Sequence, residues 1–181
     1  MFYHVWHGYH NSLCDDLEST YNISYLLEND PDTLWNPSIH QKDFHYWGEP
    51  LYGYYNSSDP WVIARHMELL MNAGVDYLVY DLTNSVIYVS AINTIFSVLE
   101  EFQNQGFKVP KVAFYTNSNS GQTISKCYDY WYKEDKYKSL WFSLNGEKPL
   151  IIGKKGEVMQ LPNGNEIIDK LDIVSGVWPT D

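Results

Sequence analysis

The 181-residue sequence predicts an α/β fold in which parallel strands alternate with amphipathic helices. Residues 75–81 and 109–115 are nearly continuous apolar runs, which is typical of strands buried on both faces of a parallel sheet. Between them, residues 88–105 carry apolar side chains at helical spacing, and Gly106 supplies a helix stop. A strand–helix–strand repeat of roughly 30 residues is the βαβ unit of a parallel sheet.

The remaining elements follow in chain order. Residues 2–6 predict a short buried strand, and a long polar and aromatic stretch at 8–58 predicts ordered loop with one short helix ending before Asp30. Asp59 and Pro60 open the clearest helix, which Gly74 closes. The Asn145-Gly146 pair predicts a β-hairpin. The later predictions are a helix at 123–133, the two hairpin strands at 140–144 and 149–152, a helix at 164–170 and a strand at 171–177.

Four or five such units predict the first part of a (β/α)8 TIM-type barrel, because eight units need about 250 residues. The alternative is a complete small doubly wound sheet, which should carry a phosphate loop; neither GxGxxG nor GxxxxGK[ST] occurs. We therefore expect residues 1–181 to form one partial barrel domain. The chain starts in a strand and stops just after another, at residues 177–181, which predicts a fragment of a larger protein.

Composition narrows the function classes. The sequence has 12 Lys and Arg and 23 Asp and Glu, which give a net charge of −11. It contains no cluster of cationic residues, so neither nucleic-acid binding nor binding to an anionic membrane is predicted. No run approaches the roughly 18 apolar residues that a membrane span needs, so no membrane insertion is predicted. The 7 Trp, 16 Tyr and 7 Phe exceed what a core requires, and flat amphipathic rings of this kind suit sugars. The N-terminus lacks the features of a signal peptide, so the sequence itself leaves the localisation unknown.

Polar and aromatic residues gather where the predicted strands end, which is where parallel α/β folds bind ligands. Amides, His and stacking rings recognise neutral polyols, whereas the cations or Gly-rich turns of a phosphate site are missing. The sequence therefore predicts a site for a neutral sugar. Its candidate substrate-binding residues are His7, His10, Tyr46, Trp47, Asn84, Tyr115, Asn117, Asn119 and Trp178.

Two carboxylates are the candidate catalytic groups. Asp81 ends an apolar run, and Glu49 lies between Gly48 and Pro50 among aromatic residues. Glycosidases commonly use a carboxylate pair, one as acid or base and one as nucleophile or base. In the alternative interpretations, Asp81 caps the following turn and Glu49 anchors its loop by pairing with Arg65.

No cofactor is predicted, and metal or nucleophile chemistry has weak support. On a strand, His4 and His7 face opposite sides, so His4, His7 and His10 converge on a metal only through a turn. HExxH, paired CxxC and GxSxG motifs are missing. Cys14 and Cys127 are predicted to be unpaired thiols.

Five stretches of the chain resemble glycoside hydrolase families 71 and 99, in the same order along almost the whole sequence. They are FHYWGEPLYGYY at 44–55, AGVDYLVYDLTN at 73–84, FYTNSNSG at 114–121, KPLIIG at 148–153 and WP at 178–179. The resemblance implies a (β/α)8 barrel that acts on glycosidic bonds of α-mannan or α-glucan type, and an extracellular or periplasmic location.

One departure from that pattern leaves three functions open. In family 99 the catalytic carboxylates lie on later strands than this chain supplies, so Asp81 and Glu49 are either the catalytic pair or substrate ligands in an inactive fragment. A non-catalytic carbohydrate-binding domain is the alternative of a different class. A metal-dependent carbohydrate esterase that uses the His residues is the third.

Overall fold

The computed structural model describes residues 1–5, 7, 28–29, 50–53 and 55–176, and the structural statements below concern these residues. Their strands form one sheet of five, all parallel and in chain order. A doubly wound sheet reverses its strand order, whereas a barrel adds each strand beside the last, so the doubly wound alternative is wrong. The strands are β1 (Phe2–Tyr3), β2 (Tyr77–Leu82), β3 (Lys111–Thr116), β4 (Leu150–Ile152) and β5 (Asp172–Val174).

Helices separate the strands from β2 onward, as the predicted βα repeat requires. The helix predicted at 88–105 is observed one residue shorter at each end, and the one predicted at 164–170 has those bounds. The helix predicted at 123–133 begins three residues earlier and changes to π-helical pairing after Cys127. The helices are α1 (Pro60–Asn72), α2 (Val89–Asn104), α3 (Ser120–Cys127) with its π-helical extension (Tyr128–Tyr132), a 3₁₀ turn (Lys138–Leu140), α4 (Lys155–Val158) and α5 (Gly164–Lys170).

The two ends of helix α1 show why its bounds could be predicted from the sequence. The Asp59 carboxylate accepts hydrogen bonds from the backbone N–H of Trp61 at 2.9 Å and of Val62 at 3.2 Å, which satisfies two donors at the helix start. At the other end Gly74 takes a φ of +72°, which only glycine adopts without strain. Within the described range, no helix is long and apolar enough to cross a membrane.

The predicted hairpin at Asn145-Gly146 is wrong. Gly146 does make a turn, with a φ of +75°, but Trp141 forms only a single parallel bridge, to Val112. β4 pairs in parallel with both β3 and β5. The Asn-Gly signal is local, and it predicts a turn without fixing which strands the flanking residues join. Parallel pairing occupies both edges of β4, so no edge remains for a hairpin partner.

Contacts divide the chain into two compact units. One consists of Met1–Tyr3, Leu69–Ile87 and Leu99–Asp181 and holds the whole sheet. The other consists of His4–Glu68 and Tyr88–Val98. The single domain predicted for residues 1–181 stays a prediction.

The sheet has one fully buried face and one half-exposed face. On the buried face, Phe114 stacks near Trp131 at 5.3 Å and Trp141 at 5.7 Å between ring centroids. Its neighbours Tyr80 and Leu82 have no exposed surface. On the other face Val79 is buried, whereas Tyr77 at the start of β2 is 38% exposed. This face is therefore most open at the amino end of β2, and it is half-exposed again at Asp81, near the carboxyl end where the candidate site was predicted.

Candidate functional site

Asp81 and Tyr115 lie side by side at the carboxyl ends of β2 and β3. They are register partners in the parallel pair, and each is the last residue but one of its strand. Because side chains alternate along a strand, both project from the half-exposed face. Both are half-buried, whereas the preceding pair, Tyr80 and Phe114, is fully buried on the opposite face. The structure thus brings together a predicted carboxylate and a predicted ring.

The Asp81 carboxylate is oriented by the turn that follows it. Its Oδ1 atom accepts a hydrogen bond from the backbone N–H of Thr83 at 2.9 Å. The alternative interpretation, in which Asp81 caps the following turn, is therefore confirmed. An ionised carboxylate offers about four acceptor positions, so capping a turn and binding a ligand hydroxyl are compatible. The turn therefore fixes the orientation of the Asp81 carboxylate.

The Tyr115 ring is held by residues that sequence reasoning did not identify. Its centroid lies 5.9 Å from that of Phe2, on β1. Gly176, which follows β5, lies so close that an added Cβ would fall 2.8 Å from the ring carbon Cε2 and 3.0 Å from the hydroxyl oxygen. Only a residue without a side chain fits against this ring. Because Tyr115 and Gly176 are 61 positions apart in the sequence, no local sequence pattern predicts their contact.

The loops after β2 and β3 are tied to each other. The backbone N–H of Ser118 donates to the carbonyl of Thr83 at 2.9 Å, and the Ser85 hydroxyl donates to the carbonyl of Ser118 at 2.5 Å. Ser85 and Asn119 adopt φ values of +70° and +47°, an unusual conformation for residues with a Cβ. Strain of this kind concentrates at functional sites.

Three of the predicted amides lie on these loops. Asn84 is exposed, and its Oδ1 accepts a hydrogen bond from the backbone N–H of Val86 at 3.2 Å. Asn119 is exposed and donates from Nδ2 to the Ser85 hydroxyl at 3.5 Å. Asn117 is half-buried between β3 and α3. Asn84 and Asn119 therefore lie on one tied pair of loops beside Asp81 and Tyr115.

A buried polar cluster joins the carboxyl ends of β3 and β4. The hydroxyls of Thr116 and Ser120 lie 2.7 Å apart, and Thr116 also donates to the carbonyl of Ile152 at 3.1 Å. Ser120 accepts from the backbone N–H of Lys154 at 2.9 Å. A Cβ on Gly153 would collide with both hydroxyls. These hydroxyls satisfy one another and the backbone, so they position the strand ends and do not serve as ligands.

Glu157 is a carboxylate near the strand ends that sequence reasoning missed. Its Oε2 accepts from the backbone N–H of Gly121, at the start of α3, at 2.9 Å. Its Oε1 lies 3.5 Å from the Lys154 ammonium. The Oε2 contact thus fastens α4 to α3, while the Oε1 contact lies at the start of α4 itself. No sequence spacing predicts this role, because Gly121 and Glu157 are 36 residues apart.

His7 belongs to the second unit, in a cluster of aromatic rings. Its backbone exchanges hydrogen bonds with Ser57, donating to the hydroxyl at 2.9 Å and accepting from the N–H at 2.8 Å. Its Nδ1 lies 3.4 Å from the Tyr55 hydroxyl, and the Tyr55 ring contacts His66 at 5.6 Å between centroids. Burial lowers the pKa of His66 and raises the pKa of Tyr55. His7 is therefore a fixed member of a His–Tyr cluster.

Five predicted site residues lie outside the described part of the chain: His10, Tyr46, Trp47, Glu49 and Trp178. Arg65, the alternative partner of Glu49, forms an ion pair with Glu68 at 2.5 Å.

The described residues give little support for metal or thiol chemistry. No group of three His, Cys, Asp or Glu side chains there is arranged to hold a metal ion. Cys127 is an unpaired buried thiol, and burial raises its pKa well above the ordinary value, so it stays protonated and unreactive. Cys14 lies outside the described residues.

Two solved structures that share this fold are glycoside hydrolases. A GH99 endo-alpha-mannosidase from Bacteroides thetaiotaomicron, in complex with bis-tris propane, superposes with a TM-score of 0.54 at 20% identity, over 99% of this chain and 52% of that one. A second structure of the GH99 endo-alpha-mannosidase from this organism gives a TM-score of 0.53 at 19% identity, over 97% and 54%. The chain spans about half the length of the structures it matches.

At this level of identity the likeness concerns the fold. The five parallel strands in sequential order correspond to about half of the GH99 structure, which confirms the prediction of a partial barrel and of a likeness to family 99. No protein-family model matches the sequence, and no curated protein does.

Proposed function

We propose that this protein is a glycoside hydrolase-like protein that binds a neutral glycan at the carboxyl ends of β2 and β3 and acts on its glycosidic bonds. The observation that carries the proposal is the pairing of Asp81 with Tyr115 on the half-exposed sheet face. A carboxylate that accepts hydroxyl protons beside a ring that covers a C–H surface is a common arrangement for sugars. The fold shared with GH99 endo-alpha-mannosidases favours an α-mannan as the glycan. The sequence resemblance to families 71 and 99 adds an α-glucan as the alternative.

In this proposal Asp81 and Glu49 are the two carboxylates of a glycosidase. Cleavage needs one group to protonate the leaving oxygen and a second to act as nucleophile or to activate water, about 5–5.5 Å or about 6.5–9.5 Å away. Thr83 holds the Asp81 carboxylate in one orientation, as proton transfer along a defined direction requires. Asn84, Asn117 and Asn119 supply amides for the hydroxyls of the same sugar, and His7, His10, Tyr46, Trp47 and Trp178 complete the proposed binding set.

The experiment is a panel of neutral glycans incubated with the full 181-residue chain, with reducing ends and binding measured in parallel. Release of reducing ends from one glycan class, abolished in Asp81→Asn and in Glu49→Gln even when the glycan is saturating, supports the enzyme. If no glycan of the panel is bound and none releases reducing ends, the proposal is wrong. A metal requirement for release of acetate from acetylated glycans would point instead to an esterase.

A non-catalytic carbohydrate-binding protein is the second candidate. It is favoured by Glu157, a carboxylate near the same strand ends whose contacts are structural. Its Oε2 accepts from the Gly121 N–H and its Oε1 pairs with Lys154, so it positions α3 and does not act as a catalytic partner of Asp81. Tight glycan binding without release of reducing ends, in a chain with all its carboxylates intact, is the result that selects this candidate.

An extracellular or periplasmic location is part of the proposal, since a polysaccharide substrate is met outside the cytoplasm. Cell fractionation of the native host, followed by immunodetection of the chain, tests it. Recovery in the cytoplasm alone would contradict it.

A further inference from the structure

A cavity of about 340 Å³ lies at the other end of the sheet, away from the strand ends that carry Asp81 and Tyr115. Its wall includes Pro149, which directly precedes β4, and Lys170, which lies two residues before β5. Trp141, another wall residue, bridges to Val112 near the start of β3. The cavity is therefore formed at the amino ends of β3, β4 and β5, all within the first unit, and near the small end of the range of about 300–1,000 Å³ for ligand sites.

Two wall residues carry buried hydroxyls that lack a hydrogen-bond partner. These are the Tyr132 hydroxyl and the Ser143 hydroxyl, and neither is bonded within the part of the chain that the structure describes. Most buried polar groups in proteins are paired, because leaving one unpaired forfeits its hydration without return. Each hydroxyl can both donate and accept. Both oxygens are buried within the wall, so a ligand with hydroxyls of its own would bond them after their side chains turn toward the cavity.

The backbone around the cavity is unusual as well. Tyr132 ends the π-helical extension of α3, a form that is rare and frequent at functional sites. Asp135 and Tyr137 follow with φ values of +54° and +57°, in the left-handed region. Tyr132 is held in place by Trp141, whose ring centroid lies 4.3 Å away. Strained backbone conformations therefore occur in the segment that forms this wall of the cavity.

The charges of the wall balance. Three are cationic and three anionic, and one opposite pair is neutralised locally, since Lys170 pairs with Asp135 at 3.0 Å. Lys148 donates a hydrogen bond to the carbonyl of Ile168 at 3.2 Å and keeps its charge. A balanced wall selects neither an anion nor a cation, while its alternating donors and acceptors suit a polyol. The charged wall residues are Asp135, Lys138, Glu147, Lys148, Asp169 and Lys170.

We propose that this cavity is a second binding site, for a neutral polyol the size of one or two sugar rings, separate from the strand-end site. The inference stands on the cavity itself and does not require that the protein cleave glycosidic bonds.

The test is calorimetric titration of the full chain with mannose and with glucose, and with inorganic phosphate and glycine as charged probes. One of the sugars is expected to bind, and Tyr132→Phe and Ser143→Ala are each expected to weaken it about tenfold by removing one hydroxyl. Tyr130→Phe is the matched control, because Tyr130 is 46% exposed on the same π-helical segment. It should bind like the wild type. In Asp81→Asn, the part of the sugar binding that depends on Tyr132 and Ser143 should persist.

Four outcomes would overturn the proposal. They are binding of neither sugar, tighter binding of phosphate or glycine, sugar binding unaffected by Tyr132→Phe and Ser143→Ala, and sugar binding that is lost in Asp81→Asn. The last would place the sugar at the strand-end site.

A stability measurement gives an independent readout. If the Tyr132 hydroxyl is unpaired in the sugar-free protein, Tyr132→Phe leaves Tm unchanged or raises it, even though sugar binding weakens. A clear fall in Tm for Tyr132→Phe but not for Tyr130→Phe would show that the hydroxyl is already bonded, and would contradict the proposal.

Discussion

The carboxylate of Asp81 and the ring of Tyr115 occupy partner positions on neighbouring parallel strands, one residue before each strand ends. The alternation of side chains makes this placement obligatory for the fold. A slip of one residue in either strand would move its polar residue to the face where Tyr80 and Phe114 are fully buried. The register that buries the core is thus the register that exposes the candidate site.

Gly176→Ala is expected to weaken glycan binding, because its new methyl group would displace the Tyr115 ring that it touches. We expect a loss of affinity of about tenfold, as for one displaced contact, measured by calorimetry with the best glycan of the panel. Gly156→Ala serves as the control glycine change, because Gly156 has nothing near its Cβ position and no positive φ. Unchanged affinity in Gly176→Ala would show that the ring does not contact the ligand.

Gly153→Ala is expected to destabilise the fold by about 1–3 kcal/mol, since a Cβ there would overpack the Thr116 and Ser120 hydroxyls. Gly156→Ala is the matched change, because nothing lies near its Cβ position inside α4 and alanine favours helix by about 0.5–1 kcal/mol. Urea unfolding followed by circular dichroism should move the two midpoints in opposite directions. Equal midpoints would contradict the packing described for this cluster.

Asp59→Ala is expected to lower the free energy of unfolding by about 1 kcal/mol, because it removes the side chain that accepts from Trp61 and Val62 at the start of α1. Asp59→Asn should retain most of the stability, since asparagine caps helices about as well. Thermal unfolding of both variants distinguishes loss of the cap from loss of the charge.

His66 should make stability depend on pH in a defined direction. Burial lowers its pKa below the ordinary value of 6.5, so the unfolded chain binds a proton more readily than the folded one. Its contribution is therefore full above about pH 6.5 and is lost as the pH falls through that value. His66→Gln should flatten the difference in unfolding free energy between pH 7.5 and pH 5.5. Parallel pH profiles for the variant and the wild type would contradict the assignment.

Much of the fold could be predicted because its signals are local. Asp59, Gly74 and Gly106 mark helix ends through backbone rules, and the apolar runs of β2 and β3 reveal strands buried on both faces. The site positions Asp81 and Tyr115 followed from one general property of parallel sheets, that ligands meet the carboxyl ends of strands.

The rest could not be predicted because it depends on pairing between distant residues. Asn145-Gly146 makes its turn, but the parallel pairing of β4 with β3 and β5 decided the partners of the flanking residues. Glu157 and Gly176 act only through contacts that the folded sheet creates. The unpaired hydroxyls of Tyr132 and Ser143 are likewise invisible in a sequence, since burial without a partner is a property of the packed structure.

The most direct test of the strand-end site compares two changes on one strand. Asp81→Asn alters the carboxyl end of β2, and Asp76→Asn makes the same change one residue before its amino end, where Asp76 pairs with Lys108 at 3.1 Å on the exposed surface. Affinity for the best neutral glycan of the panel should fall at least tenfold in Asp81→Asn, the loss expected for a hydrogen bond to a charged group, and stay unchanged in Asp76→Asn. Equal affinities in the two variants would contradict a glycan site at Asp81.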